Sequence, residues 1–500
     1  MGKDGSKESR KEIVMSEDAL VNISADRWPS QYRAALAVRS MQTKLHDWAV
    51  RDPGRRFDDI WNLVYDPAFL TAAFERVASN QGARTAGVDR VTVTWIISSM
   101  GKQVFLEMVR DQLRSGTFTP VPVRQVMIPK RSGKLRALGI PTVTDRVVQA
   151  ALKLVLEPIF EADFAPCSYG FRPNRRAQDA IAEIHYYTSR SYEWVLEADI
   201  TACFDRIDHT ALMERVRARI KDKHVLKLVK AFLKAGVMTT AGLEETHTGT
   251  PQGGILSPLL ANIALSILDD HFMNEWHQHM ATGAGRAARR RHGQANYRLI
   301  RYADDFVIVV AGERADAEQL QHQVAHTLAP LGLELSPEKT RVVHIDQGFD
   351  FLGFNIKRMK KPGSRKSFVY TRPSTQAIAR VKDKIKTMTY RSTRHLDPCY
   401  LMERIGLVVR GWANYYRYGV SKRVFSMIDH YAWARITSWI RKKHHIGWPE
   451  LKHKFCVPGT WLLTCDGHRF RGAASVPVTR YRYRGYHILG PWDQTAAITG

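Results

Sequence analysis

The chain has 500 residues, 44% hydrophobic and 25% charged, enough to bury one large core or several, so a disordered chain is not expected. Seventy-five Lys and Arg against 49 Asp and Glu leave a formal charge of +26, which attracts a polyanion, nucleic acid before any other. Cys167, Cys203, Cys399, Cys456 and Cys465 form no regular framework and no CxxC pair, so reduced thiols are expected, with no disulfide and, despite His453 and His468 nearby, no zinc site. No uncharged run of about 18 apolar residues occurs, and the charged start MGKDGSKESRKEIVMSED lacks the apolar core of a signal peptide, so a cytosolic protein is expected. Gly2 with Ser6 fits a myristoylation pattern formally, but no other membrane signal accompanies it.

Residues 1 to 25 read as a polar tail, with order beginning near Trp28. From Ala34 to Val50 apolar residues recur every three or four positions, as in an amphipathic helix, and a second helix follows Asp66-Pro67. Ala86-Gly87-Val88-Asp89 breaks the pattern. Val121–Ile128 and Leu135–Ile140 read as strands joined by Arg131-Ser132-Gly133-Lys134, a hairpin with a basic tip. Thr144 to Phe160 is helical; Trp194–Ile200 is a strand ending at an acidic turn; Phe306–Val310 is a buried strand directly after Tyr302-Ala303-Asp304-Asp305. Past Pro373 the pattern is helical, and the stretch after 446, rich in Trp, Gly, Pro and Arg, shows no clear period. Strands and helices mix without a βαβ rhythm, so the fold class is α+β.

Asp199 and the pair Asp304-Asp305 each abut an apolar strand, where carboxylates are costly unless something positive meets them. Two hard divalent ions about 3.5–4 Å apart would do so and would serve an in-line transfer at phosphorus. Taken alone, an Asp-Asp pair before a strand also suits a turn or a helix cap.

The surrounding blocks decide between these readings, because the sequence resembles the reverse transcriptase family, whose signature stands at Tyr302-Ala303-Asp304-Asp305. The resemblance implies a right-hand polymerase of fingers and palm with an antiparallel palm sheet, followed by an α-helical thumb. It also implies that Asp199, Asp304 and Asp305 are catalytic, with Asp199, Asp304 and the Ile200 backbone carbonyl holding two Mg²⁺, Mn²⁺ being a substitute. Asp305 supports them and Tyr302 positions the primer end. Phe204 falls where the family places a ring under the incoming sugar, favouring dNTPs; Asp205 and Asp208 are structural, capping the next helix. Lys130 and Arg136 of the hairpin would hold the triphosphate. Gly249-Thr250-Pro251-Gln252-Gly253-Gly254 resembles the template and nucleotide pocket, with Gln252 by the nascent pair, Gly253 at the template, and a helix starting near Ser257-Pro258.

Further blocks look like group II intron enzymes: Ala86-Gly87-Val88-Asp89, Gly139–Arg146, Ser168-Tyr169-Gly170-Phe171-Arg172-Pro173, and Phe349-Asp350-Phe351-Leu352-Gly353-Phe354, whose Leu352 and Gly353 belong to a primer grip. Gly411-Trp412-Ala413-Asn414-Tyr415-Tyr416-Arg417 resembles the thumb or maturase region. The implied partners are group II intron RNA, the RNA template–DNA primer duplex, target DNA and dNTPs, in the bacterial cytosol and at the nucleoid during insertion. Arg417, Lys422, Arg423, Arg441, Lys442 and Lys443 would track RNA phosphates, and Arg286, Arg289, Arg290 and Arg291 would form a loop ordering on RNA. Expected divisions are 1–55 (tail and helical extension), 56–190 (N-terminal block and fingers), 191–365 (palm), 366–445 (thumb/maturase) and 446–500 (basic extension, a candidate for DNA binding). No paired Cys motifs of an HNH nuclease follow 446, so no endonuclease is expected, and insertion would use an existing nick or single strand. The implied function is copying intron RNA into cDNA for retrohoming while assisting splicing. The alternatives are a diversity-generating, defence or CRISPR-associated enzyme, or an RNA-binding splicing cofactor without polymerase activity.

Overall fold

A computed structural model of the chain describes residues 28–129, 135–239, 242–244, 248–249, 253–361, 363–485 and 487–493. The expected tail, Lys130, the hairpin tip and Gln252 lie outside them. The strands in chain order are β1 (Val123–Pro129), β2 (Leu135–Ile140), β3 (Trp194–Asp199), β4 (Val237–Thr239), β5 (Gly242–Glu244), β6 (Asn296–Tyr302), β7 (Asp305–Ala311), β8 (Arg341–His344), β9 (Phe349–Phe351), β10 (Phe354–Lys360), β11 (Ser367–Pro373), β12 (Thr464–Cys465) and β13 (His468–Arg469).

The first helix, Gln31–Arg51, starts where Ser30 accepts the Arg33 N–H, and its 3.6-residue period buries Ala34, Val38, Leu45 and Ala49. Helix Pro67–Ala78 begins at Asp66, which accepts the Ala68 and Phe69 N–H groups with Pro at the first helical position. Both pack on helix Val143–Glu161, whose residues are buried almost all round. The hairpin β1–β2 pairs in antiparallel register from Arg124↔Ile140 to Pro129↔Leu135. β4 then adds to β1 in parallel and β5 to β4 antiparallel, giving a second sheet in the order β2-β1-β4-β5.

The palm sheet runs β6-β7-β3-β8, each pair antiparallel. Its centre explains the unbroken apolar run: Phe306, Val307, Ile308, Val309 and Val310 are all 0% exposed, because helices cover the sheet. Two ion pairs are sealed in this core, Arg298 with Glu183 (2.8 Å) and Arg301 with Asp269 (2.5 Å), all four side chains at most 1% exposed. After the β9–β10–β11 sheet come three long helices, Thr375–Met388, Pro398–Tyr416 and Lys422–His444, started by Ser374 and Asp397 caps in the first two and packed through Val381, Ile385, Ile405, Val409, Phe425, Ile428 and Ile436.

Three findings differ from the sequence reading. The arginine cluster is a helix, Gly283–Arg291, rather than a loop waiting for RNA: Thr282 caps it, and Arg286 and Arg289 donate to the carbonyls of Met280, Ala281 and Ala295. Cys399 and Cys465 are joined in a disulfide (Cα–Cα 5.3 Å), because the β12–β13 hairpin folds over the start of helix Pro398–Tyr416; a separation of 66 residues carried no signal of this. The basic, aromatic C-terminal run is an intramolecular strap. Tyr481 and Arg484 donate to Asp179, Tyr483 to Glu183, and Trp492 to Gln42, while His46 meets Asp493, so the segment crosses from the thumb helices to the first helix of the chain. Buried carboxylates draw these donors in, leaving Arg480 and Arg482 exposed.

Candidate active site

Asp199 ends β3 and Asp305 begins β7, and the antiparallel register makes them direct partners. Asp304 occupies the tight β6–β7 connection, where Ala303 takes a left-handed φ of +60°. The three carboxylates therefore converge at one end of the palm sheet, as the sequence expected. Burial, then the neighbouring Asp199, raises the Asp304 carboxyl above the usual range; Asp305, exposed at the start of β7 yet partly desolvated within the cluster, is raised by that desolvation, then by Asp304 and Asp199, to about 7. Such a cluster calls for a cation. The Lys339 ammonium supplies one, 2.5 Å from Asp199 Oδ2. These observations fit hard divalent ions, since an all-carboxylate set with a charge deficit is the donor chemistry of Mg²⁺. The Ile200 carbonyl is compatible with this set: in the Ile200↔Leu335 bridge the bonds are made by Thr201 N–H to Glu334 O and Ser336 N–H to Asp199 O, so it takes no part in them.

Lys339 was missed from sequence. A lone Lys in Ser336-Pro337-Glu338-Lys339 carries no motif, yet the β3–β8 register Glu197↔Arg341, continued outward by two residues, puts position 339 opposite Asp199. Lys339 borders a cleft of about 390 Å³ lined also by Asp199, Asp305, Asp350, Phe351 and Leu352.

Four of the nine non-glycine residues with positive φ among the described residues surround this site: Phe171, Ala202, Ala303 and Leu352. Strain concentrated there is stable only because the surroundings fix it. Arg301 does much of the fixing, donating to Asp269, to Asn262 Oδ1, to Ser168 Oγ and to the Ala303 carbonyl. Phe204 lies on the short helix Cys203–Arg206, half-buried, beyond the left-handed cap Ala202. Asp208 caps the next helix by accepting the Ala211 N–H, as expected.

Arg136 lies on exposed β2, and its charge favours the ionised form of Asp304, so the hairpin reaches the carboxylates electrostatically. The glycine block is tied to both neighbours. A side chain at Gly249 would strike the Asp205 backbone at 2.5 Å, and one at Gly253 the Gly139 carbonyl at 2.5 Å, so both positions need glycine for close approach. Helix Ser257–Glu275 then begins as read from Ser257-Pro258.

The Leu352–Gly353 turn is held by the helices that follow it. Tyr415 donates to the Leu352 carbonyl at 2.9 Å, the Tyr416 hydroxyl sits where a Gly353 side chain would be, and Ser374 N–H bonds Gly353 O. Tyr302 is half-buried at the end of β6, paired with Asp305. Of the basic residues expected on RNA, Lys422, Arg423, Lys442, Arg290 and Arg291 are exposed. Lys443 is engaged with the Arg394 and Leu396 carbonyls, Arg289 with Ala295, Arg441 lies 4.3 Å over the Trp448 ring, and Arg417 is half-buried with its Nε enclosed.

Residues 128–356 match the family described as reverse transcriptase (RNA-dependent DNA polymerase), which is the class that the palm sheet and its carboxylates define. Residues 378–455 match the group II intron maturase-specific domain. The protein YkfC of Escherichia coli is 36% identical over 68% of this chain and 94% of its own length. The group II intron-encoded protein LtrA of Lactococcus lactis is 33% identical over 62% of this chain and 58% of its own, and a putative COX1/OXI3 intron 2 protein of Saccharomyces cerevisiae 28% identical over 67% and 44%. The chain thus spans only about half the length of those two intron proteins. It belongs to the group II intron-encoded reverse transcriptase/maturase family. Among the described residues no helix is long and apolar enough to cross a membrane.

Proposed function

We propose that the chain copies group II intron RNA into cDNA and binds that RNA to assist its splicing. The observation that carries the polymerase half is the convergence of Asp199, Asp304 and Asp305 at the end of the palm sheet, with a lysine already drawn to them. Asp199 and Asp304, with the Ile200 carbonyl, would hold two Mg²⁺ ions, Mn²⁺ substituting. Bound there, the ions would activate the primer 3′-hydroxyl and neutralise charge on the leaving pyrophosphate. Arg136, with Lys130, grips the triphosphate; Gln252 and Gly253 border the nascent pair; Tyr302, Leu352 and Gly353 seat the primer end. Lys339 holds Asp199 in the ion-free site and would give it up to the ions. Primer extension on an RNA template with Mg²⁺ tests the activity; no extension by the wild-type chain would refute it.

Phe204 is the sugar gate. Phe204→Ala is expected to raise ribonucleotide incorporation relative to dNTPs by at least about 10-fold, since removing a steric block from a packed pocket is worth one to a few kcal/mol. An unchanged ratio in single-nucleotide kinetics would reject that role.

The RNA contacts are the exposed Lys422 and Arg423 at the start of helix Lys422–His444 and Lys442 near its end, with Arg290 and Arg291 on a separate helix. Neutralising the first three should weaken intron-RNA affinity and lower the steepness of its salt dependence by about 0.7–0.9 for each phosphate left without its cation. Lys443→Ala should instead lower stability, because its ammonium caps two carbonyls. Equal salt slopes for the triple variant and the parent would remove those residues from the interface.

A further inference from the structure

Phe171 combines two unfavourable features. Its φ is +58°, a conformation costly for a residue with a Cβ, and its ring is 48% exposed. The glycine beside it does not relieve the turn, because Gly170 is required elsewhere: a Cβ there would overlap the Ala303 nitrogen. The chain on both sides is fixed. Arg301 N–H donates to Cys167 O, Tyr169 N–H to Arg301 O and Asn262 Nδ2 to Gly170 O, while Arg172 is locked by Glu161 and the carbonyls of Ala165 and Ser168. The backbone that carries the Phe171 ring is thus held in place. The ring stands edge-on to Phe204, with ring centroids 6.4 Å apart and planes at 75°. Phe204 itself follows a second left-handed residue, Ala202 (φ +46°). Two rings preset by strained backbone therefore meet beside the Ala303–Asp304 turn.

We infer that Phe171 is a positioning residue for nucleotide selection: it backs the Phe204 ring and keeps it from turning aside to admit a ribonucleoside triphosphate. The inference rests on the reading of Phe204 as the sugar gate. Without a wall behind it, a half-buried ring on a four-residue helix has room to change rotamer, and the block against a 2′-hydroxyl softens although Phe204 is still present. Phe171 acts only through Phe204, so the two effects are not additive.

The test uses the full chain with an RNA template, a DNA primer and Mg²⁺, and measures kcat/KM for insertion of one dNTP and of the matching rNTP. A ratio is insensitive to the fraction of folded enzyme, so a merely structural defect does not move it. Phe171→Ala should shift the ratio toward rNTP by about 2- to 10-fold, the range that an aromatic pair contributes; Phe171→Leu should shift it less. Phe171→Ala combined with Phe204→Ala should equal Phe204→Ala alone. If Phe204→Ala relaxes selection and Phe171→Ala leaves it unchanged, the inference is overturned while the gate stands. Additive effects overturn it too, placing Phe171 directly on the nucleotide. If Phe204→Ala itself changes nothing, the gate reading fails first.

Discussion

Asp304→Ala should reduce cDNA synthesis by at least about 1,000-fold while leaving intron-RNA binding and protein-assisted splicing within a few-fold of wild type. The size follows from removing a ligand that acts only on the charge developing at the reacting phosphate, where deleting a single preorganised group already costs about 10²–10³ in rate. The separation follows from geometry. The carboxylates stand at the end of the palm sheet, whereas the exposed basic residues proposed for RNA lie on helices Lys422–His444 and Gly283–Arg291. Folding should not suffer, since burial and the neighbouring Asp199 already disfavour the charged Asp304 carboxylate in the folded chain, and alanine removes that cost. Parallel primer-extension and splicing assays check the outcome; splicing lost together with synthesis would mean that the two activities share this site.

The second large effect is expected at Arg301→Leu. Arg301 and Asp269 are both 0% exposed, so removing the guanidinium strands a carboxylate in the core, a change worth about 3–5 kcal/mol. It also frees the Ala303 carbonyl and Asn262 beneath the Ala303–Asp304 turn. Chemical denaturation should show the full loss of stability, and the fraction that remains folded should polymerise poorly. The double change Arg301→Leu with Asp269→Leu should recover much of the stability, because no charge is then left unpaired, but little of the activity, because nothing then holds the turn. A destabilisation under about 1 kcal/mol for the single variant would show the pair to be hydrated rather than sealed.

This division between stability and turn geometry also marks what the sequence revealed. Asp199 and Asp304-Asp305 were legible because a buried strand and its terminal acid are adjacent in sequence, and Asp208 because helix caps are local. The helices at Gln31–Arg51 and Val143–Glu161 showed in the spacing of their apolar residues. Residues whose roles depend on distant pairing left no trace. Lys339 reaches Asp199 through the β3–β8 register, Tyr415 and Tyr416 of the thumb-like block support Leu352 and Gly353, and Arg301, just ahead of Tyr302–Asp305, belongs to no motif of its own. The Gly283–Arg291 helix was hidden by two glycines and an arginine run, which give no apolar stripe, and its order comes from carbonyls supplied by neighbouring turns. Lys443 and Arg289 were read as phosphate ligands from charge alone, whereas the fold spends them on backbone carbonyls.

In the proposed function, Asp199 and Asp304 jointly hold a pair of divalent ions beside the primer end. Mn²⁺ titration followed by electron paramagnetic resonance, with template, a dideoxy-terminated primer and the next dNTP bound, tests this most directly. Two ions per chain with mutual magnetic coupling are expected, with that coupling lost in Asp199→Asn. Uncoupled ions in the wild-type complex, or coupling unchanged in the variant, would contradict it.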